Sequence, residues 1–273
     1  MKRSGVDVIL LAAERRNLIL EKLQEEKRVV VSQLSEQFDV SEETIRRDLD
    51  KLDKEGLATK TYGGAVLTEN SNLDMPFNVR KKRNMLGKKI IGDIIADLVQ
   101  EGDHIIVDPS TTAVSIVKAL RTKERLTVVT NSIEVLVELN DVSGWDIIST
   151  GGTLKENYLA LVGPRAVEGF NSFNVDKAIL SCKGMDMEKG ITDANEMFSQ
   201  VKKAMLRSAK QKILAVDCTK FEKVAFSKIC DLEDIDLVVT DVRPSDEWME
   251  YFKDKGIECL YGEENQNYSV CEQ

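Results

Sequence analysis

The sequence has few of the residues that metal sites and acid–base catalysis use most often. It has a single histidine, His104, and its five cysteines are scattered without a Cys-x-x-Cys pair. Zinc sites are built from closely spaced cysteines and histidines, so we expect no metal and no cofactor. His104 stands at the start of a predicted strand, away from any presumed site, so no histidine base is evident.

Long apolar runs are lacking as well. The longest run near the start, residues 8–13, is far shorter than the roughly 20 residues of a membrane helix. Glu14, Arg15 and Arg16 follow it, and no cleavage-site pattern is present. We therefore expect a cytoplasmic protein with no membrane partner. A chain of 273 residues has room for one large domain and one small domain.

The charge is unevenly distributed along the chain. Its net value is -9, but residues 1–90 hold 18 Lys and Arg against 15 Asp and Glu, a balance of +3 that leaves -12 for the remainder. A basic module inside an acidic chain is compatible with nucleic-acid binding, which whole-chain charge would hide.

The first seventy residues predict two short helices joined by a tight turn. An amphipathic helix over 14–26 and a β-branched stretch over 28–31 come first. Ser32 is expected to cap a helix that places Leu34 and Phe38 on one face. Asp39-Val40 breaks that helix, and Ser41 caps the next one.

The second helix predicts a DNA-reading face. Ile45, Leu49 and Leu52 point into a core, and Glu42 and Glu43 favour the positive end of the helix dipole. The outward residues are basic or carry a hydroxyl, which suits the major groove of DNA. They are Ser41, Thr44, Arg46, Arg47 and Lys51.

Residues 57–67 predict a hairpin with glycines near its bend. Such a wing can lie along the DNA backbone, with Lys60, Tyr62 and Gly63 as contacts. The alternative reading makes Arg46 and Arg47 a solvated face paired with nearby acids. Those acids are Asp48, Asp50 and Asp53.

The order of these residues resembles the DeoR family of bacterial regulators. The matching pattern is Ser41-x-x-Thr44-Ile45-Arg46-Arg47-Asp48-Leu49, then Gly56 and Lys60-x-Tyr62-Gly63-Gly64-Ala65. The resemblance implies that Thr44, Arg46 and Arg47 belong to a recognition helix. We predict a winged helix-turn-helix domain over 1–68, a linker over 69–80, an α/β domain over 81–262 and a polar tail over 263–273.

The second half repeats one theme, an apolar strand that ends in a polar or glycine cluster. Helix-length segments separate several of these strands, which indicates a largely parallel sheet. Ligands bind beyond the carboxyl ends of such strands. The candidate effector-binding residues at these ends are Asp108, Ser110, Thr111, Thr112, Thr130, Asn131, Gly151, Gly152, Lys183, Gly184, Asp193, Lys202 and Lys220.

The resemblance extends over residues 14–262 and implies a sensor domain. In the family this domain has sheets similar to those of ribose-5-phosphate isomerase and CoA-transferase and binds a phosphorylated sugar or a related intermediate. Most members repress sugar-catabolic operons, so the resemblance implies a repressor in carbohydrate metabolism that this effector releases from operator DNA. We expect a homo-oligomer, dimer or tetramer. One departure is Ser110, where the family more often has Gly.

Two other functions stay open at this point. A sugar-phosphate isomerase with a DNA-binding appendage would need a carboxylate base, and Asp108, Asp193 or Glu196 with Lys202 are candidates, although no spacing selects one of them. An interaction module without a small ligand is the third possibility. We expect a regulator and not an enzyme, with no catalytic residues.

Overall fold

The computed structural model describes residues 11–54, 57–67 and 75–262. Gly56, the first part of the predicted linker and the predicted tail lie outside these ranges. The chain divides into two compact units between Arg80 and Lys81. Among the described residues, no helix has both the length and the apolar character needed to cross a membrane.

The described part of the N-terminal unit is a winged helix-turn-helix. Its elements are α1 (Ala12–Glu26), β1 (Arg28–Val30), α2 (Val31–Phe38), α3 (Glu42–Lys54), β2 (Ala58–Thr61) and β3 (Gly64–Leu67). The strands form an antiparallel sheet in the order β1-β3-β2. Apolar residues of all three helices pack in one core with residues of the sheet: Ile19, Leu20, Leu23, Leu34, Ile45, Leu49, Leu52 and Ala65.

Helix α2 begins one residue before Ser32, so the predicted Ser32 cap is wrong. Val30 is the residue before the helix, and its side chain makes no capping bond. The N–H of Val31 donates instead to the carbonyl of Gly63 at 2.8 Å. The loop at the hairpin bend thus satisfies one of the four amides that the start of a helix leaves without an intrahelical partner.

The turn between α2 and α3 follows the sequence prediction. Asp39 ends α2 in the left-handed region, with φ at 49°, a conformation that Asp tolerates better than most residues. The hydroxyl of Ser41 accepts from the N–H of Thr44 at 3.2 Å and so caps α3. This confirms Ser41 as the cap and fixes where the second helix begins.

From Phe77 onward the chain alternates strands and helices. The elements are α4 (Phe77–Lys82), α5 (Met85–Leu98), β4 (His104–Val107), α6 (Thr111–Leu120), β5 (Thr127–Thr130), α7 (Ile133–Glu138), β6 (Asp146–Ser149), β7 (Thr153–Lys155), β8 (Ala160–Val162), α8 (Pro164–Asn171), β9 (Val175–Leu180), β10 (Gly184–Asp186), β11 (Gly190–Asp193), α9 (Glu196–Arg207), β12 (Ala209–Ala215), β13 (Ser227–Cys230), β14 (Leu237–Thr240), α10 (Asp246–Lys255) and β15 (Glu258–Tyr261).

The second unit is built on a seven-stranded parallel sheet in the order β15-β14-β12-β9-β4-β5-β6. Six of these strands coincide with apolar runs that the sequence predicts as strands, and β15 at the edge is an addition. The predicted runs are 104–108, 126–130, 146–150, 177–181, 213–217 and 237–240. On one face, Ile106, Ala178 and Leu214 pack in a core with Phe170 of α8 and Met205 of α9. The α/β fold class is confirmed.

Smaller sheets cover the carboxyl side of the large one. Strands β10, β11 and β13 form an antiparallel sheet, and β7 and β8 form an antiparallel hairpin. A bridge between Ser132 and Ala160 joins the hairpin to the segment that follows β5. In chain order, β7, β10 and β13 come after the carboxyl ends of β6, β9 and β12.

Two details differ from the sequence expectation near the start of this half. Within the predicted linker, α4 begins at Phe77, and Val79 packs into the core of the N-terminal unit. The apolar spacing of Leu86, Ile90, Ile94 and Leu98 predicts a helix here, and α5 forms. Its buried residues, however, are Ile91 and Ile95, while Leu86 is exposed. The reason is close packing against α6: a Cβ on Gly92 would lie 2.9 Å from the carbonyl oxygen of Ser115, so the glycine side of α5 faces inward.

Candidate DNA-binding and effector sites

The outward face of α3 carries the predicted DNA-contact residues. Ile45 and Leu49 are buried, whereas the side chains of Arg46 and Arg47 are 51% and 77% exposed. Lys51 is exposed as well. The structure therefore presents two guanidinium groups in the N-terminal half of a recognition-type helix, where the major groove would be read, and the ammonium group of Lys51 in its last turn.

The two arginines pair with acids, but not with the acids that the alternative reading named. Arg46 Nη2 donates to Glu42 Oε2 at 2.5 Å, and Arg47 Nε donates to Glu43 Oε1 at 3.2 Å. Both pairs join residues four apart on one helix face and lie in solvent, so each contributes little stability. Breaking either ion pair when the chain binds DNA would therefore cost little free energy.

Asp48 is buried and pairs with α1. Arg15 Nε donates to Asp48 Oδ2 at 2.6 Å, and Arg16 Nη1 donates to Asp48 Oδ1 at 3.4 Å. This contact ties the recognition helix to α1. The sequence reasoning missed it, although the signal was available: Asp48 lies three residues after Ile45 and four before Leu52, on the apolar face, where a carboxylate needs a cationic partner.

The wing is tied to α3 through Lys60. Its ammonium is paired with the carboxylate of Asp50, and its N–H donates to Asp53 Oδ1 at 3.1 Å. The hydrogen bond from Lys60 holds the pKa of Asp50 below its ordinary value. Tyr62 is fully exposed at the hairpin bend, beside Gly63, whose φ of 89° favours glycine.

The central sheet of the second unit has a switch in strand order between β4 and β9. The chain continues from β4 to β5 on one side and from β9 to β12 on the other. Parallel sheets bind ligands beyond the strand ends at such a switch. Asp108 follows β4 and Ser181 follows β9, so both stand at this crevice.

The ammonium of Lys202, on α9, connects three groups at the crevice. It donates to the carbonyl of Ser181 at 2.7 Å and to Asp193 Oδ2 at 2.5 Å, and it lies 3.2 Å from Asp108 Oδ2. Asp108 also accepts from the N–H groups of Ser181 and Ser110. Lys202, Asp108 and Asp193, here called the Lys202 cluster, are all more than nine-tenths buried at their side chains.

The protonation of Lys202 follows from these neighbours. Burial alone would lower the pKa of Lys202, but the carboxylates of Asp193 and Asp108 outweigh burial and raise it above its ordinary value. An ammonium has three donors, and three oxygens lie within 3.2 Å of this one. In this arrangement Lys202 orders two carboxylates and presents no further donor to an anion.

Helix α6 directs its N-terminus to the same edge. The hydroxyl of Ser110 accepts from the N–H of Ala113 at 2.9 Å and caps the helix, with φ at -84°, so no glycine is needed there. Thr111 and Thr112 are the first two helical residues and are buried. Their N–H groups have no carbonyl one turn earlier in the helix to bond with, which leaves two donors at its positive end.

Thr130 ends β5 and Asn131 follows it, next to the end of β4 that leads to Asp108. The Thr130 hydroxyl donates to the carbonyl of Val107 and accepts from the N–H of Ser132, a structural role. Asn131 donates through its Nδ2 to the carbonyl of Leu161 at 2.7 Å. Its Oδ1 is buried and has no hydrogen-bond partner among the described residues. A buried acceptor of this kind calls for a donor.

Two of the three predicted glycines lie in close contact with other backbone segments, and the third has open space beside its Cα. A Cβ on Gly152 would lie 2.7 Å from the carbonyl oxygen of Val162, and a Cβ on Gly184 would lie 2.3 Å from that of Lys223. Both glycines are therefore explained by close backbone packing. Gly151 has φ at 69° with open space beside its Cα, so it alone leaves room for a ligand.

The two other predicted lysines, Lys183 and Lys220, are both half-buried. Lys183 donates its N–H to the carbonyl of Thr192, and its side chain is half-buried. Lys220 lies in a 3₁₀ turn after β12, half-buried and without an ion pair among the described residues. Burial raises the pKa of the Cys182 thiol to about 12, while Lys202 and Lys220 act in the opposite direction. Lys220 therefore lies within electrostatic range of the crevice.

Two groups considered for catalysis stand apart from the Lys202 cluster. Glu196 is exposed on the first turn of α9. His104 Nδ1 lies 3.3 Å from Asp176 Oδ2 at the start of β4, the opposite edge of the sheet. The base that an isomerase would need is therefore not assembled from these side chains.

Comparisons with known proteins match both units. A family model described as "DeoR-like helix-turn-helix domain" matches residues 15–71, and one described as "DeoR C terminal sensor domain" matches residues 83–242. Among solved structures, ribose 5-phosphate isomerase A of Methanocaldococcus jannaschii aligns at 13% identity over 49% of this chain and 53% of its own, with a TM-score of 0.36, a similarity too weak to bear on function.

Curated relatives cover most of the chain. The HTH-type transcriptional regulator YulB of Bacillus subtilis is 40% identical over 232 residues, which is 85% of this chain and 90% of the relative. The HTH-type transcriptional repressor GlcR of B. subtilis is 34% identical over 93% of this chain and 97% of its own length. The L-fucose operon activator of Haemophilus influenzae is 32% identical over 89% and 97%.

These relatives are named as regulators and not as enzymes, which confirms the regulator prediction over the isomerase alternative. Since both family models match and the relatives cover most of the chain, this protein belongs to the DeoR family of DNA-binding transcriptional regulators.

Proposed function

We propose that this regulator represses a carbohydrate-catabolic operon and is released from its operator by a phosphorylated sugar or a related intermediate. Residues 1–68 bind DNA in this proposal, and residues 81–262 bind the effector. The observation that carries the proposal is the Lys202 cluster at the strand-order switch, beside the N-terminus of α6 and the unpaired Oδ1 of Asn131.

The crevice offers two kinds of chemistry. The carboxylates of Asp108 and Asp193 and the Asn131 Oδ1 atom are acceptors, which suit the hydroxyl groups of a sugar. The N-terminus of α6 and the ammonium of Lys220 are donors with positive character, which suit a phosphate. A molecule with hydroxyls at one end and a phosphate at the other satisfies both sets.

Lys202 has a positioning role in this proposal. Two buried carboxylates so close together would repel each other without a cation between them, and Lys202 supplies that cation. It thereby holds the two carboxylates together at the crevice. Lys220 takes the part of the anion partner, because its ammonium has no ion pair among the described residues.

The sign of regulation rests on the relatives and is part of the proposal. GlcR is named a repressor, whereas the H. influenzae relative is named an activator of an L-fucose operon, which is a sugar operon. Repression is also the commoner sign in the family that the sequence resembles. We further propose a homo-oligomer, dimer or tetramer, that places recognition helices on repeated half-sites.

The effector part is tested by calorimetry on the full chain. A panel of sugar phosphates is titrated, each beside its unphosphorylated sugar. We expect one sugar phosphate to bind and its free sugar to bind at least tenfold more weakly, since the phosphate contacts are absent. Lys220→Gln removes the proposed anion partner, and Lys223→Gln, an exposed lysine of the same segment, is the matched control.

Two outcomes would overturn the effector proposal. Equal affinity for a sugar and its phosphate would show that no anion site exists in the crevice. Equal loss of affinity in Lys220→Gln and Lys223→Gln would show that general charge, and not the Lys220 ammonium, attracts the phosphate.

A further inference from the structure

Glu43 occupies a position on α3 from which it can take part in reading DNA. It lies in the first helical turn, four residues before Arg47 and on the same face, opposite the buried Ile45 and Leu49. Its side chain is 63% exposed. Like Glu42, it is favourable at the positive end of the helix dipole, and it lies on the side of α3 that faces away from the core.

The contact between Glu43 and Arg47 leaves the reading edge of the arginine open. Only Nε of Arg47 donates to Glu43, at 3.2 Å, and neither of its terminal nitrogens has a partner within the described ranges. Those terminal nitrogens form the fork that donates two parallel hydrogen bonds to O6 and N7 of guanine. Glu43 also uses only Oε1, so its Oε2 remains available as an acceptor.

Arg46 is held differently by its own acid. Its contact with Glu42 runs through the terminal nitrogen Nη2, at 2.5 Å, so one half of the fork is already taken. Arg46 is also less exposed than Arg47. A guanidinium with one terminal nitrogen engaged is suited to a single phosphate oxygen rather than to the paired acceptors of guanine.

We propose that Glu43 is a specificity-determining residue of the recognition helix. It positions Arg47 by holding Nε, so that the terminal fork faces a guanine in the major groove, and its free oxygen accepts from N4 of a neighbouring cytosine. Glu43 and Arg47 thus act as one unit that reads guanine, while Arg46 contacts the backbone. The proposal rests on DNA binding by the family and is independent of the proposed effector.

The test is selection of duplexes from a random-sequence library by the full chain at fixed salt. Four variants are compared with the native protein: Glu43→Gln and Arg47→Ala, and the matched controls Glu42→Gln and Arg46→Ala. We expect the native motif to contain a G·C pair that Glu43→Gln and Arg47→Ala both cease to select. Glu42→Gln and Arg46→Ala keep the motif, and Arg46→Ala lowers affinity equally for all duplexes.

Affinities for the selected duplex and for its single-pair variants give the size of the effect. We expect the native chain to discriminate the guanine position by roughly 10- to 100-fold. Glu43→Gln should lose most of that discrimination, and the loss should not add to that of Arg47→Ala because the two residues act together. Melting temperatures close to the native value show that each variant is folded.

Three results would overturn the proposal. The first is an unchanged motif in Glu43→Gln. The second is an equal shift in affinity for every duplex, which would reduce Glu43 to a contribution of charge. The third is the absence of any motif for the folded native chain. If no sugar phosphate released the chain from DNA, by contrast, the proposed function would be contradicted. The inference about Glu43 would be unaffected.

Discussion

The ion pairs on the recognition helix and those in the Lys202 cluster differ in their exposure to solvent. Arg46 and Arg47 pair with acids one turn away on an exposed face, whereas Lys202 pairs with two carboxylates that are almost wholly buried. Exposed pairs contribute about 0–1 kcal/mol and are easily exchanged. Buried pairs are costly to break on one side. The ion pairs of the proposed DNA surface are therefore easily rearranged, while those of the proposed effector site are fixed in advance.

Removing the buried cation should have the largest effect. Lys202→Met leaves Asp108 and Asp193 buried without a counter-charge, and we expect the free energy of unfolding of the second unit to fall by about 3–5 kcal/mol. Urea denaturation followed by tryptophan fluorescence measures it, because both tryptophans, Trp145 and Trp248, lie in this unit. Lys203→Met is the matched control, and equal destabilisation by both variants would contradict the account.

The N-terminal unit has one buried pair of its own, which gives a second test of the comparison. Asp48→Asn removes the carboxylate that Arg15 and Arg16 share, and we expect a loss of about 3 kcal/mol in the stability of this unit. Hydrogen exchange of the α1 and α3 amides in the full chain reports it. Asp50→Asn removes an exposed partner of Lys60 instead. If it accelerated exchange as much, burial would not be the deciding factor.

Arg47→Ala should separate DNA affinity from stability. We expect operator binding to weaken by roughly 1–3 kcal/mol, the value of a bidentate base contact, with effector binding intact. Stability should change by less than about 0.5 kcal/mol because the pair with Glu43 lies in solvent. Binding isotherms and melts of the same preparation measure both quantities. Unchanged DNA affinity would remove Arg47 from the contact surface.

The side chain of Asp176 is more exposed than the acids of the Lys202 cluster and less exposed than those on the recognition helix. We expect its substitution to change stability least among these variants. The N–H of His104 and the ammonium of Lys210 hold the pKa of Asp176 at about 2, below the ordinary 3.8. A lowered pKa stabilises the fold above pH 3.8, and this contribution is lost as the pH falls towards 2. We expect Asp176→Asn to flatten that part of the stability profile, measured by acid titration of the tryptophan signal. An unchanged profile would contradict the sign.

Local patterns were predictable from the sequence, and contacts between distant segments were not. The caps and apolar spacing of α3 depend on residues within four positions of each other, so Ser41, Ile45 and Leu49 fell where expected. The Ser32 cap was wrong because α2 already begins at Val31, whose N–H donates to the carbonyl of Gly63 in a distant hairpin. The face of α5 was assigned wrongly because apolar residues occupy adjacent stripes and Gly92 decides between them.

The same distinction explains the effector site. The polar clusters at strand ends were visible because each follows an apolar run, and Asp108, Asn131 and Asp193 all came to the carboxyl edge. The engagement of Lys202 depends on three segments that meet only in the folded sheet. Sequence alone therefore named Lys202 as a candidate effector-binding residue, whereas its ion pairs with Asp108 and Asp193 depend on the folded sheet.

The central claim is that a phosphorylated sugar and DNA oppose each other on this chain. The most direct measurement is the affinity of the full chain for a duplex from its own upstream DNA, at fixed salt, with and without each sugar phosphate of the panel. The account predicts that one compound weakens DNA binding and that DNA weakens the binding of that compound by the same factor. Specific DNA binding that every sugar phosphate leaves unchanged would contradict it.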